Sequence, residues 1–180
     1  MKIIAVYGSA IVEPDTPHYQ AALEVGAGLA RAGYAVMTGG YGGVMEAASK
    51  GAAEAGGHVI GVTSERIETF RPRSPNPWVR EEIKYPSLRE RLLHLIDHAD
   101  GYVVMPGGIG TLNELFMAWE LVRLGETSFG PMVCYGEYWR PRLAQLIDNH
   151  YIHSETTKLL HFADTPQEIV TRLQNLVDNE

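Results

Sequence analysis

The residues best suited to chemistry lie in the run Pro106-Gly107-Gly108-Ile109-Gly110-Thr111, followed three positions later by Glu114. Gly107, Gly108 and Gly110 let the backbone turn sharply and come close to a ligand. A turn of this kind at a helix start presents free N–H groups and the positive end of the helix dipole to an anion. Thr111 adds a hydroxyl and is expected to cap the helix. Glu114, one turn further in, places a carboxylate beside the anion. Together they suit a phosphorylated ligand with an acid–base group at its rim.

Two further small-residue turns, Gly8-Ser9-Ala10 and Gly39 to Gly43, share this setting, each following an apolar run. Glycine in a strand-to-helix turn is common on steric grounds alone, so no single turn identifies a site. Ser9 suits either a phosphate contact or a simple cap. The chain lacks GxxxxGK[ST] and so is not a P-loop nucleotidase, and without GxGxxG after the first strand it lacks the dinucleotide fingerprint.

The elements that must hold these turns follow from periodicity. Strands are expected at Lys2–Tyr7, Tyr34–Thr38, His58–Val62, Tyr102–Met105, Pro131–Tyr135 and Leu159–Phe162. Helices are expected at His18–Ala32 behind Thr16, Val44–Ala55, from Ser87 to His98, from Thr111 through Leu124, Tyr138–Asn149 and Thr165–Val177. Ser64 to Pro86, with Pro72, Pro75 and Pro77, has no sustained period and reads as a long loop over a site. Alternating apolar strands and helices give an α/β class: a single Rossmann-like domain over residues 1–180, three layers deep, with a mostly parallel sheet flanked by helices. Such sheets take ligands beyond the C-terminal ends of their strands, where all three turns fall.

With 45% hydrophobic and 21% charged residues the chain reads as globular, and its net charge of −7 argues against a nucleic-acid polymer as partner. The lone Cys134 forms no intrachain disulfide and reads as a core thiol. No leader or membrane-length apolar run is visible, so the expectation is a cytoplasmic protein with no membrane partner. His94 and His98 share a helix face, but no neighbouring acid completes a metal motif, and no metal site is expected.

The motif PGGIGTLNE resembles the PGGxGTxxE signature of the LOG family, long labelled lysine decarboxylase-like. The likeness extends to VYGSA, to TGGYGGVMEAASKGAAEAGGHVIGV and to SLRERLLHLIDHAD, and so spans most of residues 1 to 135. Members characterised as enzymes hydrolyse nucleoside 5′-monophosphates, including cytokinin ribotides, to base and ribose 5-phosphate. The resemblance implies Arg91 and Glu114 as the catalytic pair, with Arg89 set aside by register. It implies that phosphate rests on Gly107, Gly108, Gly110 and Thr111, with Gly40, Gly42 and Gly43 closing the other side and Ser9 within reach. Arg91 is expected to hold Glu114 ionised. A homodimer, a nucleoside 5′-monophosphate partner and no cofactor follow from the same likeness. Decarboxylation would need a lysine for pyridoxal phosphate, and the only lysine near these turns is Lys50, in mid-helix.

The chain departs from the family wording at Leu92, Asn113 and Glu46, where the enzymes carry Lys, Glu and Gly. Its GGVMEAASKGA wording is nearer to bacterial relatives described as nucleotide-binding or molybdenum-cofactor-carrier-like. The alternative is therefore a carrier that binds a nucleotide or such a cofactor without turning it over.

Overall fold

Apolar runs buried on both faces form the centre of the molecule. In the computed structural model, which describes residues 1–127, 130–147 and 150–178, they are strands of a single sheet. The sheet comprises β1 (Ile3–Tyr7), β2 (Ala35–Thr38), β3 (Val59–Ser64), β4 (Glu81–Tyr85), β5 (Gly101–Val104), β6 (Met132–Tyr135) and β7 (Leu160–Ala163). The order is β4-β3-β2-β1-β5-β6-β7, and every pairing is parallel. The connecting helices are α1 (Pro17–Arg31), α2 (Val44–Glu54), α3 (Glu65–Phe70), α4 (Leu88–Asp97), α5 (Ile109–Leu124), α6 (Gly136–Ala144) and α7 (Pro166–Val177), with a 3₁₀ turn at Ser154–Leu159. The α/β class and the parallel, helix-flanked sheet agree with expectation.

Alternation along each strand divides the core in two. Ile4, Val6, Val36 and Val103 pack with α1, α2 and α7, whereas Ala5, Tyr7, Met37, Tyr102 and Val104 pack with α4, α5 and α6. From β1 the chain runs outward to β4 on one side, then returns to β5 and proceeds outward on the other. β1 and β5 are therefore neighbours, with Val6 opposite Val103 and Tyr7 opposite Val104. Their C-terminal ends flank the point where strand order reverses, the usual crevice for a ligand.

Local signals set three of the seven helix starts among the described residues. Thr16, Ser87 and Thr165 each accept from the N–H three residues on, with Pro17 and Pro166 opening α1 and α7. Ser87 also donates to Glu90 Oε2 at 2.6 Å, which fixes the start of α4.

Three expectations are corrected. The Ser64–Pro86 stretch is not a plain loop: it ends β3 and contains α3 and the edge strand β4. β4, EEIKY, carries no strand signal in the sequence, because an edge strand keeps its charged side chains in water and lacks an apolar run. Thr111 does not cap α5, because the helix begins two residues earlier with Gly108 at the cap position and Thr111 in its first turn. α6 starts at Gly136 and ends at Ala144, three residues after Pro141, which has no N–H to donate. Asp148 and Asn149, at the expected end of that helix, lie outside the described residues. Among the described residues no helix is long and apolar enough to cross a membrane.

Candidate active site

The three small-residue turns meet, and Ser9 joins them. Its N–H donates to Pro106 O at 3.0 Å, tying the first turn to the third. Its carbonyl accepts from Val44 N–H at 2.8 Å, tying the first turn to the second. Its hydroxyl oxygen accepts from Ile11 N–H at 3.2 Å. Gly43, at φ +68°, allows the second turn to come this close, since a Cβ there would collide with Ser9 O.

The turns border a cleft of about 470 Å³. Gly8, Ser9 and Ala10 form one side, Gly108 to Thr111 with Glu114 a second, Tyr41, Met45 and Arg91 the floor, and α3 with Arg71 and Arg73 the outer wall. The first helical hydrogen bond of α5 is Leu112 N–H to Gly108 O, so the N–H groups of Ile109, Gly110 and Thr111 have no acceptor within the helix. Gly108 and Gly110 are exposed at the mouth. Tyr138 of α6 steadies the turn by donating to Gly107 O at 2.9 Å, and Trp139 by donating to Met105 O at 3.1 Å.

Arg91 and Glu114 come together from different helices. Arg91 Nη1 lies 3.7 Å from Glu114 Oε1, with the two side chains 6% and 13% exposed. Arg91 is fixed elsewhere: its Nε donates to Val62 O at 2.7 Å and its Nη2 to Gly39 O at 3.2 Å. Tyr41 lies beneath the guanidinium, 5.8 Å from ring centre to Cζ. Gly39 makes the arrangement possible, because a Cβ there would collide with the guanidinium. The expected ionised Glu114 is corrected. Burial pushes its carboxyl up to about 7, and the attraction of Arg91 offsets only part of that. Geometry explains why Arg91 offsets so little of the burial: its Nε and Nη2 donate to backbone carbonyls, and its Nη1 stops short of a hydrogen bond to Glu114.

The second turn does not present its glycines as expected. Gly40 is buried, its N–H donates to Thr38 Oγ1 at 3.1 Å, and its carbonyl accepts from Asn76, so that amide is not free for a phosphate. Neither Gly42 nor Gly43 lines the cleft; the turn reaches it through Tyr41 and Met45.

Several residues shape the site in ways the sequence did not indicate. Gly39 and Tyr41 fall in a run read for phosphate contact. Asn76 sits in a proline-rich stretch, yet it is buried and donates to Gly40 O at 3.1 Å and Tyr41 O at 3.0 Å. Ile67 and Phe70 of α3 give the cleft a largely apolar outer wall together with Leu88, Ile109 and Ile11. A proline-rich loop reading could not have revealed that helix.

The remaining candidates are structural. The His94 and His98 rings stack 3.9 Å apart, Tyr85 OH shares a 2.9 Å hydrogen bond with His94 Nδ1, and His98 Nδ1 donates to His94 O. Among the described residues no group of three or more His, Cys, Asp or Glu could hold a metal. Cys134 is fully buried, and burial pushes its thiol up to about 12, as befits a core residue. Lys50 faces Glu54 at 4.0 Å and lies over Trp78.

A family model described as possible lysine decarboxylase matches residues 45–173. The chain is 32% identical over 153 residues to a cytokinin riboside 5′-monophosphate phosphoribohydrolase of Mycobacterium tuberculosis, covering 82% of this chain and 80% of that protein. It is 29% identical over 164 residues to the probable cytokinin riboside 5′-monophosphate phosphoribohydrolase LOGL2 of Oryza sativa subsp. japonica, covering 87% of this chain but only 66% of the rice protein. The X-ray structure of TM1055, a structural-genomics target, matches with a TM-score of 0.78 at 29% identity, over 97% of this chain and 99% of that one. A molybdenum cofactor (Moco) carrier protein of Chlamydomonas reinhardtii matches with a TM-score of 0.71 at 26% identity, over 98% of each chain. The span of the family model and the identity held across most of the mycobacterial protein make this chain a member of the LOG family.

Proposed function

We propose that the cleft binds a nucleoside 5′-monophosphate and hydrolyses its N-glycosidic bond, giving free base and ribose 5-phosphate. Glu114 carries the reading: a nearly buried carboxyl, held near neutral pH by its surroundings, opening on a cleft beside free helix-start amides. The phosphate rests on the N–H groups of Ile109, Gly110 and Thr111 and on the Thr111 hydroxyl. The ribose is thereby held with C1′ toward Glu114. As the C1′–N bond breaks, positive charge grows on the sugar, and the ionised carboxylate stabilises it. Glu114 then takes a proton from the attacking water as the oxygen bonds to C1′, the departing base takes one proton from solvent, and Glu114 returns its proton to solvent as it resets. Arg91 steadies the charged carboxylate without hydrogen-bonding it. The names of the mycobacterial and rice relatives support this reaction class.

A second reading is favoured by the likeness to the Moco carrier: the same cleft holds a nucleotide or pterin ligand without turnover. Incubation with AMP, GMP, CMP and UMP separates the two. Free base with equimolar ribose 5-phosphate supports hydrolysis, and saturable binding with no base supports a carrier. A homodimer follows from the LOG resemblance, and Met117 and Leu124, exposed on α5, suit such a contact. Light scattering tests it, and a monomer mass ends it.

A further inference from the structure

Three arginines and one carboxylate line the cleft, in a chain whose net charge is −7. A phosphorylated ligand is repelled by the molecule as a whole, so its entry depends on these local cations. Arg91 is engaged with two carbonyls and Glu114. Arg71 and Arg73 are different: among the described residues neither meets a carboxylate. Arg71 is exposed and lies against its neighbour Phe70, 5.8 Å from the ring centre. Arg73 is half-buried and inside the cleft, with Nη1 3.4 Å from Ala10 O in the first turn.

The position of Arg73 is built. Three residues on, Asn76 fastens the segment to the second turn through its N–H to Gly40 O at 2.8 Å and its Nδ2 to Gly40 O and Tyr41 O. Asn76 Oδ1 in turn accepts from Trp78 N–H at 3.1 Å. A guanidinium on an anchored segment, beside an apolar wall and with no acidic partner, is preorganised for an anion.

We propose that Arg73 is a further substrate-binding residue, which grips the phosphate from the outer wall while Asn76 acts as its positioning residue. This rests on the phosphoribohydrolase reading for the ligand's identity, but the phosphate contact can be tested apart from turnover. The experiment compares wild type with Arg73→Ala, Arg73→Lys, Arg71→Ala and Asn76→Ala. It measures calorimetric affinity for ribose 5-phosphate and steady-state kinetics on AMP. Removing a charge-assisted hydrogen bond to a phosphate raises both Kd and KM by about 10- to 100-fold. The loss falls on KM rather than kcat. Arg73→Lys recovers part of it, Arg71→Ala loses less affinity than Arg73→Ala, and Asn76→Ala shifts Kd in the same direction as Arg73→Ala. If Arg73→Ala does not fold, Arg73→Gln replaces it. An Arg73 variant that folds and binds ribose 5-phosphate within twofold of wild type overturns the proposal, whether or not base is released. Arg73-dependent binding in a protein that releases no base sustains it and rejects hydrolysis instead.

Discussion

Arg91 approaches Glu114 but does not hydrogen-bond it. The gap from Nη1 to Oε1 is 3.7 Å, while Nε and Nη2 are donated to the carbonyls of Val62 and Gly39. A bidentate pair would hold the carboxylate ionised well into the acid range. This looser one leaves burial dominant, and the carboxyl titrates at about 7. The separation therefore sets an acid–base group at the pH where it can both take and give a proton.

Glu114→Gln removes that function and keeps the shape. Turnover of a nucleoside monophosphate is expected to fall by about 10²–10⁴-fold. Affinity for ribose 5-phosphate stays within a few-fold, as calorimetry would show. A variant that turns over like wild type removes Glu114 from the chemistry.

The pH profile follows from the same carboxyl. A general base must be ionised, so kcat/KM is expected to rise with pH along a limb centred near 7. Arg91→Met deletes the cation that pulls this value down, and the limb should move to higher pH. The nucleotide's own phosphate also titrates near about 6, but that value is the same for both proteins. A limb that stays put in Arg91→Met separates the pair.

The buried carboxyl also affects stability. Its ordinary value is 4.5 and its folded value about 7, so between these the folded protein binds more protons than the unfolded chain. Stability is then lost as pH rises from 4.5 to 7, with a full cost of roughly 3 kcal/mol above that window. Glu114→Gln escapes the cost. Its Tm should match wild type near pH 4.5 and exceed it by roughly 6–12 °C at pH 8. Scanning calorimetry at the two pH values decides, and a difference that does not change with pH counts against the assignment.

Gly39→Ala tests the seat of Arg91 without replacing either charged residue. The added methyl would strike the guanidinium and Met45 Sδ. The expected cost is about 1–3 kcal/mol in denaturant unfolding. The alkaline shift of the kcat/KM limb should resemble that of Arg91→Met. Unchanged stability together with an unchanged limb would show that Arg91 has another way to sit.

How much was legible depended on whether the signal was local. β1, β2, β3, β5 and β6 are continuous apolar runs, and Thr16, Ser87 and Thr165 are caps that act within three residues, so these elements could be read directly. β4 could not, because its charged side chains face water at the sheet edge and only its backbone pairing with β3 makes it a strand. Pairing with a strand distant in the chain leaves no local pattern.

The sequence by itself determined the alternation of strand and helix, the three turns and the presence of Glu114 one turn into α5, all properties of neighbours along the chain. Tertiary structure alone decided what those residues became. It engaged the Gly40 amide with Thr38, brought Arg73 over Ala10, and divided Arg91 between two carbonyls so that burial rather than charge sets the proton affinity of Glu114. Each of these depends on distances between segments far apart in sequence, and both the dielectric around a charge and the free valence of an amide exist only once those segments have packed.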